Sequence, residues 1–329
     1  MLNRLLHSRF SGLIRIVSAG LIWGSIPLVL RAADGSSAVK VFFRVAFAAV
    51  VVGAYMLTNG SWRELGTWSG PKWRQVITQG ALLTLNWLLF LTALDMTDVA
   101  TAELLGYTGP VFVAVLAPFV TGEAFDRRII APLALSLGGI VVILAQHGLS
   151  IGSERQMIGA GLAFASAITY ATLLLRSKRI LRGVSSAALM LVEYVVASVL
   201  LAPLVVAAYM RGDVPSTPGA YGALITLGVV HTAISGFIFL GGLRQVRTDH
   251  AAVLMYIEPV SAVLFAAWFL AEPLTAFTIL GGVLVVAGGL AVARLEQRTG
   301  HVEAEPLEVA GLGYEDENAR REPTDADRA

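Results

Sequence analysis

Ten runs of mostly apolar residues, each near twenty residues long, follow one another along this 329-residue chain. They lie at about 13–33, 39–58, 75–95, 99–120, 129–147, 157–176, 186–210, 219–243, 249–270 and 275–294. A helix rises 1.5 Å per residue, so about twenty such residues match the roughly 30 Å hydrocarbon core of a bilayer. Inside lipid the backbone must satisfy its own polar groups, and runs of this length do so as helices. Charged residues make up 14% of the chain, against roughly 25% in soluble domains. Mean hydropathy is +0.72. The N-terminal basic residues and the apolar run behind them have the form of a secretory signal. That run continues to about Ala33 and others follow, so it is read as an uncleaved first span. The expected fold class is an all-α membrane protein with ten transmembrane helices.

Several function classes fall away. Without cysteine there are no disulfides, thiolate metal sites or cysteine nucleophiles. His7, His147, His231, His250 and His301 are scattered and form no metal-ligand spacing. No HExxH, GxSxG or GxxxxGK[ST] motif occurs, and no nucleophile–base set stands out. The expectation is therefore no catalytic residue, no metal, no cofactor and no enzyme. A formal net charge of +1 argues against nucleic acid.

The short breaks between runs carry turn and charge signals, and the cations sort to one side. With the N-terminus in the cytoplasm, sixteen of the Lys and Arg fall inside, from Arg4 to Arg298. Only Arg31, Lys40, Arg155 and Arg211 fall outside. This positive-inside bias never reverses along the chain, which supports an even number of spans in a cell membrane with both termini cytoplasmic. From about Glu296 the chain turns polar and acidic, and 296–329 is expected to be a disordered cytoplasmic tail.

Shifting the chain by 149 residues aligns it with itself. Phe90, Leu91 and Leu94 fall on Phe239, Leu240 and Leu243; Tyr107 and Pro110 on Tyr256 and Pro259; Glu123 on Glu272; Gly139 on Gly288. The halves, 1–147 and 148–295, hold five spans each. Five is odd, so the second copy enters the membrane from the opposite side. Two inverted halves are the usual basis of alternating access, because exchanging their conformations turns an inward-open cavity outward.

These residues resemble the drug/metabolite transporter superfamily, in particular its ten-helix EamA-type branch. The resemblance covers about residues 13–294. It rests on Leu21-Ile-Trp-Gly-Ser25, Arg44, the stretch from Pro110 to Glu123, its partner from Glu258-Pro259 to Glu272, and Gly281-Gly282 to Gly288-Gly289. It implies a substrate cavity lined by spans 1, 3, 4, 6, 8 and 9, with spans 5 and 10 peripheral. It also implies secondary transport without ATP. The superfamily's substrates include amino acids, sugars, nucleotide conjugates and cations.

A charge inside a span costs at least ~2.5 kcal/mol on insertion scales and marks a candidate site. Arg44, Glu103, Glu193 and Glu258 are such charges; His231, Asn86, Trp23, Trp87, Tyr107, Tyr170, Tyr194 and Tyr256 are softer candidates. Arg44 and Glu103 lie at similar depth, roughly 6–10 Å below one surface, where they are expected to form a gating pair unless Arg44 snorkels outward. Glu193 is the repeat equivalent of Arg44, at the opposite end. His231 and Glu258 fall near the midplane, where a His–carboxylate pair carries a proton; the simpler alternative is a hydrogen bond from His231 to a neighbouring carbonyl. Glu103, Tyr107 and Pro110 share one helix face, as do Ala252, Tyr256 and Pro259, and this stripe is expected at the cavity or its closing seam. On an unbroken helix Glu258 sits about 200° round from Tyr256, so both face one cavity only if Pro259 distorts the span. Pro110 and Pro259 are expected to kink their helices. Asn86 and Ser235 are expected to hydrogen-bond substrate. Glu123 and Glu272 are expected to cap the helices that follow them. Gly20 with Gly24, and Gly282 with Gly289, mark close helix contacts, leaving span 10 open as a homodimer surface.

The expected function is secondary transport of a small metabolite, as an exporter of amino acids or related compounds. Proton- or ion-coupled uptake of a polar or cationic nutrient stands beside it. A membrane-embedded sensor or enzyme is the alternative of another class.

Overall fold

The computed structural model describes residues 9–145, 152–271 and 273–299. Ten helices in it are long and apolar enough to cross a membrane. Spans 1–5 are Phe10–Leu30, Ser37–Thr58, Gly70–Met96, Val99–Val120 and Arg127–Ala145. Spans 6–10 are Glu154–Ile180, Ser186–Met210, Pro218–Leu243, Thr248–Leu270 and Ala276–Glu296. Local chemistry sets the ends. Pro71 opens span 3, where its missing N–H is not needed. Ser153 and Gln156 form a reciprocal capping box at span 6. Ser185 and Thr217 cap spans 7 and 8 through the N–H groups of Ala188 and Ala220.

The chain is an all-α membrane protein built as two inverted five-helix repeats, with no strand among the described residues. Span 1 packs on spans 8 and 9, span 6 on spans 3 and 4, and span 7 on spans 2 and 3. Spans 5 and 10 lie against each other, away from the centre. Large apolar side chains such as Phe119, Trp268 and Val283 face outward, as a lipid-solvated surface requires.

Two expectations need correction. The close approach on span 10 is made by Gly281 and Gly288, not by Gly282 and Gly289. A Cβ at Gly281 would stand 2.4 Å from the Gly139 carbonyl oxygen of span 5, whereas Gly282 and Gly289 leave ordinary van der Waals room. Gly20 and Gly24 do make a tight contact: a Cβ at Gly24 would lie 1.9 Å from Ser261 Oγ of span 9. The last helix also runs on to Thr299, so residues 296–299 continue it. Glu296 is buried there and paired with His250; the remainder of the expected tail, 300–329, lies outside the described residues.

Spans 4 and 9 are each broken in the middle. Span 4 divides into 4a, Val99–Gly106, and 4b, Gly109–Val120. Span 9 divides into 9a, Thr248–Leu254, and 9b, Ile257–Leu270. Pro110 and Pro259 stand just inside the second segments. Each lacks the N–H that would bond four residues back and crowds the preceding turn. The nearby amides take shorter bonds instead, Val111 N to Thr108 O at 3.0 Å and Glu258 N to Met255 O at 3.0 Å.

Candidate functional site

Span 8 departs from regular helix over Val229–Ile234, where it widens into a π-turn. A π-turn shifts the hydrogen-bond ladder by one residue and leaves carbonyls to be satisfied otherwise. Here side chains do it. Thr232 Oγ1 donates to Leu227 O at 2.8 Å, and the Tyr194 hydroxyl donates to Thr232 O at 3.2 Å. His231 O accepts from Trp23 Nε1 at 2.9 Å and from Arg44 Nη2 at 3.3 Å. Arg44 Nε also donates to Thr232 Oγ1 at 2.6 Å. The guanidinium lies 5.3 Å from the centre of the Trp87 ring, a cation–π distance. Arg44 is thus held by span 8 beneath and Trp87 beside it. It does not snorkel.

Arg44 and Glu103 therefore do not pair as the sequence suggested. The carboxylate within electrostatic reach of Arg44 is Glu258, and Glu258 in turn lies within reach of Glu103, Tyr107 and Tyr170. Neither Glu103 nor Glu258 makes a carboxylate hydrogen bond among the described residues. The break before Pro259 is what turns Glu258 toward the tyrosines, removing the 200° conflict of an unbroken helix. Arg44, Trp23, Trp87, Glu103, Tyr107, Tyr170 and Glu258 all keep some exposed surface. Together they place one cation within reach of Glu258, with Glu103 within reach of Glu258 in turn, bordered by aromatic rings.

His231 and Glu258 do not meet either. The π-turn directs His231 Nε2 to Ser25 Oγ at 2.8 Å and Nδ1 to Thr226 O at 3.3 Å. A carbonyl can only accept, so Nδ1 bears a proton toward Thr226; the Ser25 hydroxyl also stands 2.7 Å from Ile22 O, so its single hydrogen serves either that carbonyl or Nε2. Asn86 and Ser235 are also engaged elsewhere. Asn86 Nδ2 donates to Ser166 O at 2.7 Å and Thr169 Oγ1 at 3.0 Å, fastening span 3 to span 6. Ser235 is fully buried and accepts from Trp23 Nε1 at 2.7 Å. Both serve as helix-to-helix ties, although Asn86 Oδ1 takes no bond among the described residues. Sequence reasoning missed Thr232 as a partner of Arg44 and Ser25 as a partner of His231, since Gly228 ahead of the π-turn is no different in sequence from a glycine at a close helix contact.

The two halves meet at the breaks. The Tyr256 hydroxyl donates to the Tyr107 carbonyl at 2.6 Å, and the two rings stand 6.1 Å apart. Toward the end that carries the N-terminus, 9a packs on 4b. There Glu123 accepts from Thr248 N at 2.9 Å and from Thr248 Oγ1 at 3.0 Å. Glu123 thus caps span 9, from the other half, rather than the helix after it; Glu272 lies outside the described residues. Arg247 Nη2 adds a bond to Ala124 O at 2.8 Å, and Arg182 Nη2 one to Thr121 O at 2.7 Å. Toward the opposite end the segments diverge: 4a packs on spans 3, 5 and 6, and 9b on spans 1 and 10. Spans 4 and 9 thus pack on each other at one end and on different neighbours at the other, with the Arg44–Glu258–Glu103 group between. Among the described residues no cluster of His, Asp and Glu suits a metal ion.

Comparison with known proteins agrees with this architecture. A solved crystal structure superimposes with a TM-score of 0.76 at 21% identity, covering 89% of this chain and 99% of the other. An uncharacterized transporter of Archaeoglobus fulgidus is 27% identical, over 84% of this chain and 93% of its own. The pseudopaline exporter CntI of Pseudomonas aeruginosa is 25% identical (87% and 97% covered). The aromatic amino acid exporter YddG of Ancylobacter novellus is 26% identical (88% and 99%). The model of the EamA-like transporter family matches twice, over residues 10–145 and 157–294. With nearly the whole membrane domain matched, this multi-pass membrane protein belongs to the EamA-like transporter family and is a transporter rather than an enzyme.

Proposed function

We propose that the chain exports amino acids or closely related zwitterionic metabolites by alternating access. The observation that carries this reading is Arg44 within electrostatic reach of Glu258, and Glu258 of Glu103, in one partly exposed, aromatic-walled group. A guanidinium presents paired donors to a carboxylate. Two carboxyl groups without hydrogen-bond partners among the described residues attract an ammonium, and aromatic rings suit apolar or cationic side chains. A sugar or nucleoside has no use for such a dipole. Two relatives named as exporters, one of aromatic amino acids and one of pseudopaline, favour the outward direction.

The halves are taken as 1–147 and 148–295, with both termini in the cytoplasm. Sixteen cations against four support that orientation. The end where 9a packs on 4b is then cytoplasmic and the end where 4a and 9b diverge external. Inverted symmetry supplies the other state: 4b releases 9a while 4a closes on 9b, pivoting where Tyr256 meets Tyr107.

The test is counterflow in proteoliposomes across amino acids, sugars, nucleosides and cations. Saturable exchange of amino acids, lost on Arg44→Gln, is the expected result. Exchange confined to sugars or nucleosides removes the zwitterion reading. No saturable movement of any solute favours a sensor.

A further inference from the structure

Outside the central group, a cleft of about 250 Å³ opens between the ends of spans 3, 4 and 6, lined by Gln75, Val120, Arg176 and Arg179. It lies at the end that carries the N-terminus. We propose that it binds the phosphate-bearing headgroup of an anionic phospholipid. The first argument is the state of its cations. Arg176 is fixed along one edge: Nε donates to Gln79 Oε1 at 3.0 Å, and Nη2 to Gln75 O at 3.2 Å and Thr78 Oγ1 at 2.8 Å. No bond within the described residues takes Nη1. Arg179, one turn on and exposed, makes no side-chain bond to any described residue. Several cations at this end are engaged, Lys72 with Gly183 O, Arg182 with Thr121 O, Arg244 with Val184 O, and Arg247 with Asp249; Arg63, Arg74, Arg127 and Arg128 make no side-chain bond to a described residue, but none of them lines this cleft. A held guanidinium with an open edge beside an unbonded one matches the geometry of phosphate.

The second argument is depth. Trp68 and Trp73 pack together at 4.9 Å just ahead of Gln75, and half-exposed Trp62 precedes them in the same connection, marking the interfacial level where headgroups sit. From there toward the membrane centre, Ile77, Leu85, Phe164, Ile168, Val115 and Phe119 present apolar surface on the same three spans. Basic pockets between spans at a membrane surface take lipid phosphates in this way. The third argument comes from the repeat. The equivalents of Gln75, Val120, Arg176 and Arg179 are Leu224, Phe269, Pro27 and Leu30, so the cleft's polarity is not inherited from the shared architecture.

The experiment is native mass spectrometry of the full chain in detergent, offered phosphatidylglycerol, phosphatidylcholine or inorganic phosphate. The expected result is preferential retention of phosphatidylglycerol, reduced about fivefold by Arg179→Gln and unchanged by Arg211→Gln at the other end. Arg176→Gln should weaken it further; should that variant misfold, Arg179→Gln decides alone, because its side chain supports no other helix. Equal retention of both lipids, or no effect of Arg179→Gln, overturns the proposal. Displacement of phosphatidylglycerol by millimolar phosphate overturns it too, assigning the cleft to a soluble anion.

Discussion

Where span 2 crosses span 8, and where span 7 crosses span 3, the repeat makes the same helix contact twice with opposite charges. Each contact is close because a glycine admits the partner backbone. A Cβ at Gly228 would stand 2.9 Å from Arg44 O, and one at Gly80 would stand 3.0 Å from Glu193 Cα. The difference lies in the backbone beneath. Span 8 opens into its π-turn and offers His231 O and the Thr232 hydroxyl, which accept from a cation. Span 3 stays α-helical over the equivalent residues, so its carbonyls are already used. Glu193 lies there against Gln79, whose amide is committed to Leu173 O and Ser177 Oγ of span 6. Equivalent positions have thus diverged: one holds a cation beside the central gap, the other buries an acid among packed helices.

The largest expected effect tests that division directly. Arg44→Gln should lower flux by on the order of tenfold to a hundredfold, the worth of a hydrogen bond to a charged group. Arg44→Lys should not rescue it, because an ammonium cannot span two acceptors and lie over Trp87 at once. Glu193→Gln should leave flux nearly intact. Initial rates of amino acid exchange in proteoliposomes make the comparison, and equal losses in Arg44→Gln and Glu193→Gln would break it.

The glycines give the next largest effect. Gly228→Ala and Gly80→Ala should each destabilise the protein by about 1–3 kcal/mol through overpacking, read as a lower melting temperature in detergent. The two should part in function. Gly228→Ala displaces the backbone that positions Arg44 and should cut flux as well; Gly80→Ala should melt earlier and transport normally. Identical flux in the two would mean the π-turn contact is no more than packing.

What could be read beforehand follows the same line. Apolar run length and cation placement are statements about a solvent, and they give ten spans because lipid imposes them on every residue. The offset of 149 brought Tyr107 and Tyr256 into view as partners, and they touch. Pairings inside the bundle were not legible. Depth along a helix says how far Arg44 and Glu103 lie from a surface, but not that a π-turn will claim Arg44 from behind. Angular phase fails where Pro259 breaks the helix and resets it. His250 and Glu296 looked isolated in sequence, 46 residues apart, yet they meet in the interior, because span 10 returns to the end where span 9 begins.

A smaller effect is expected at the end where 9a packs on 4b. Glu123→Ala removes the cap that one half lends the other, worth about 1 kcal/mol, or roughly a fivefold shift toward opening. The chain has no cysteine, so a single Thr121→Cys substitution reports this cleanly. Its labelling by a membrane-impermeant thiol reagent, applied from the N-terminal side, should quicken when Glu123→Ala is added. An unchanged rate would mean that packing of 9a on 4b holds this end without the carboxylate.

The smallest effect concerns the pivot, where symmetry again gives way. In an unbroken helix the Tyr107 carbonyl would accept from Val111 N, but that amide has turned to Thr108 O. The freed carbonyl takes the Tyr256 hydroxyl at 2.6 Å, whereas the Tyr107 hydroxyl makes no bond within the described residues. Tyr256→Phe should therefore cost about 0.6 kcal/mol, the average for a polar contact between membrane helices, and Tyr107→Phe nothing measurable. If the bond holds the halves only in this state, Tyr256→Phe should speed exchange while lowering the melting temperature. Were Tyr107→Phe to do the same, the hydroxyls would have to trade places as the bundle opens and closes, and the pivot would be symmetric in time although it is not in this structure.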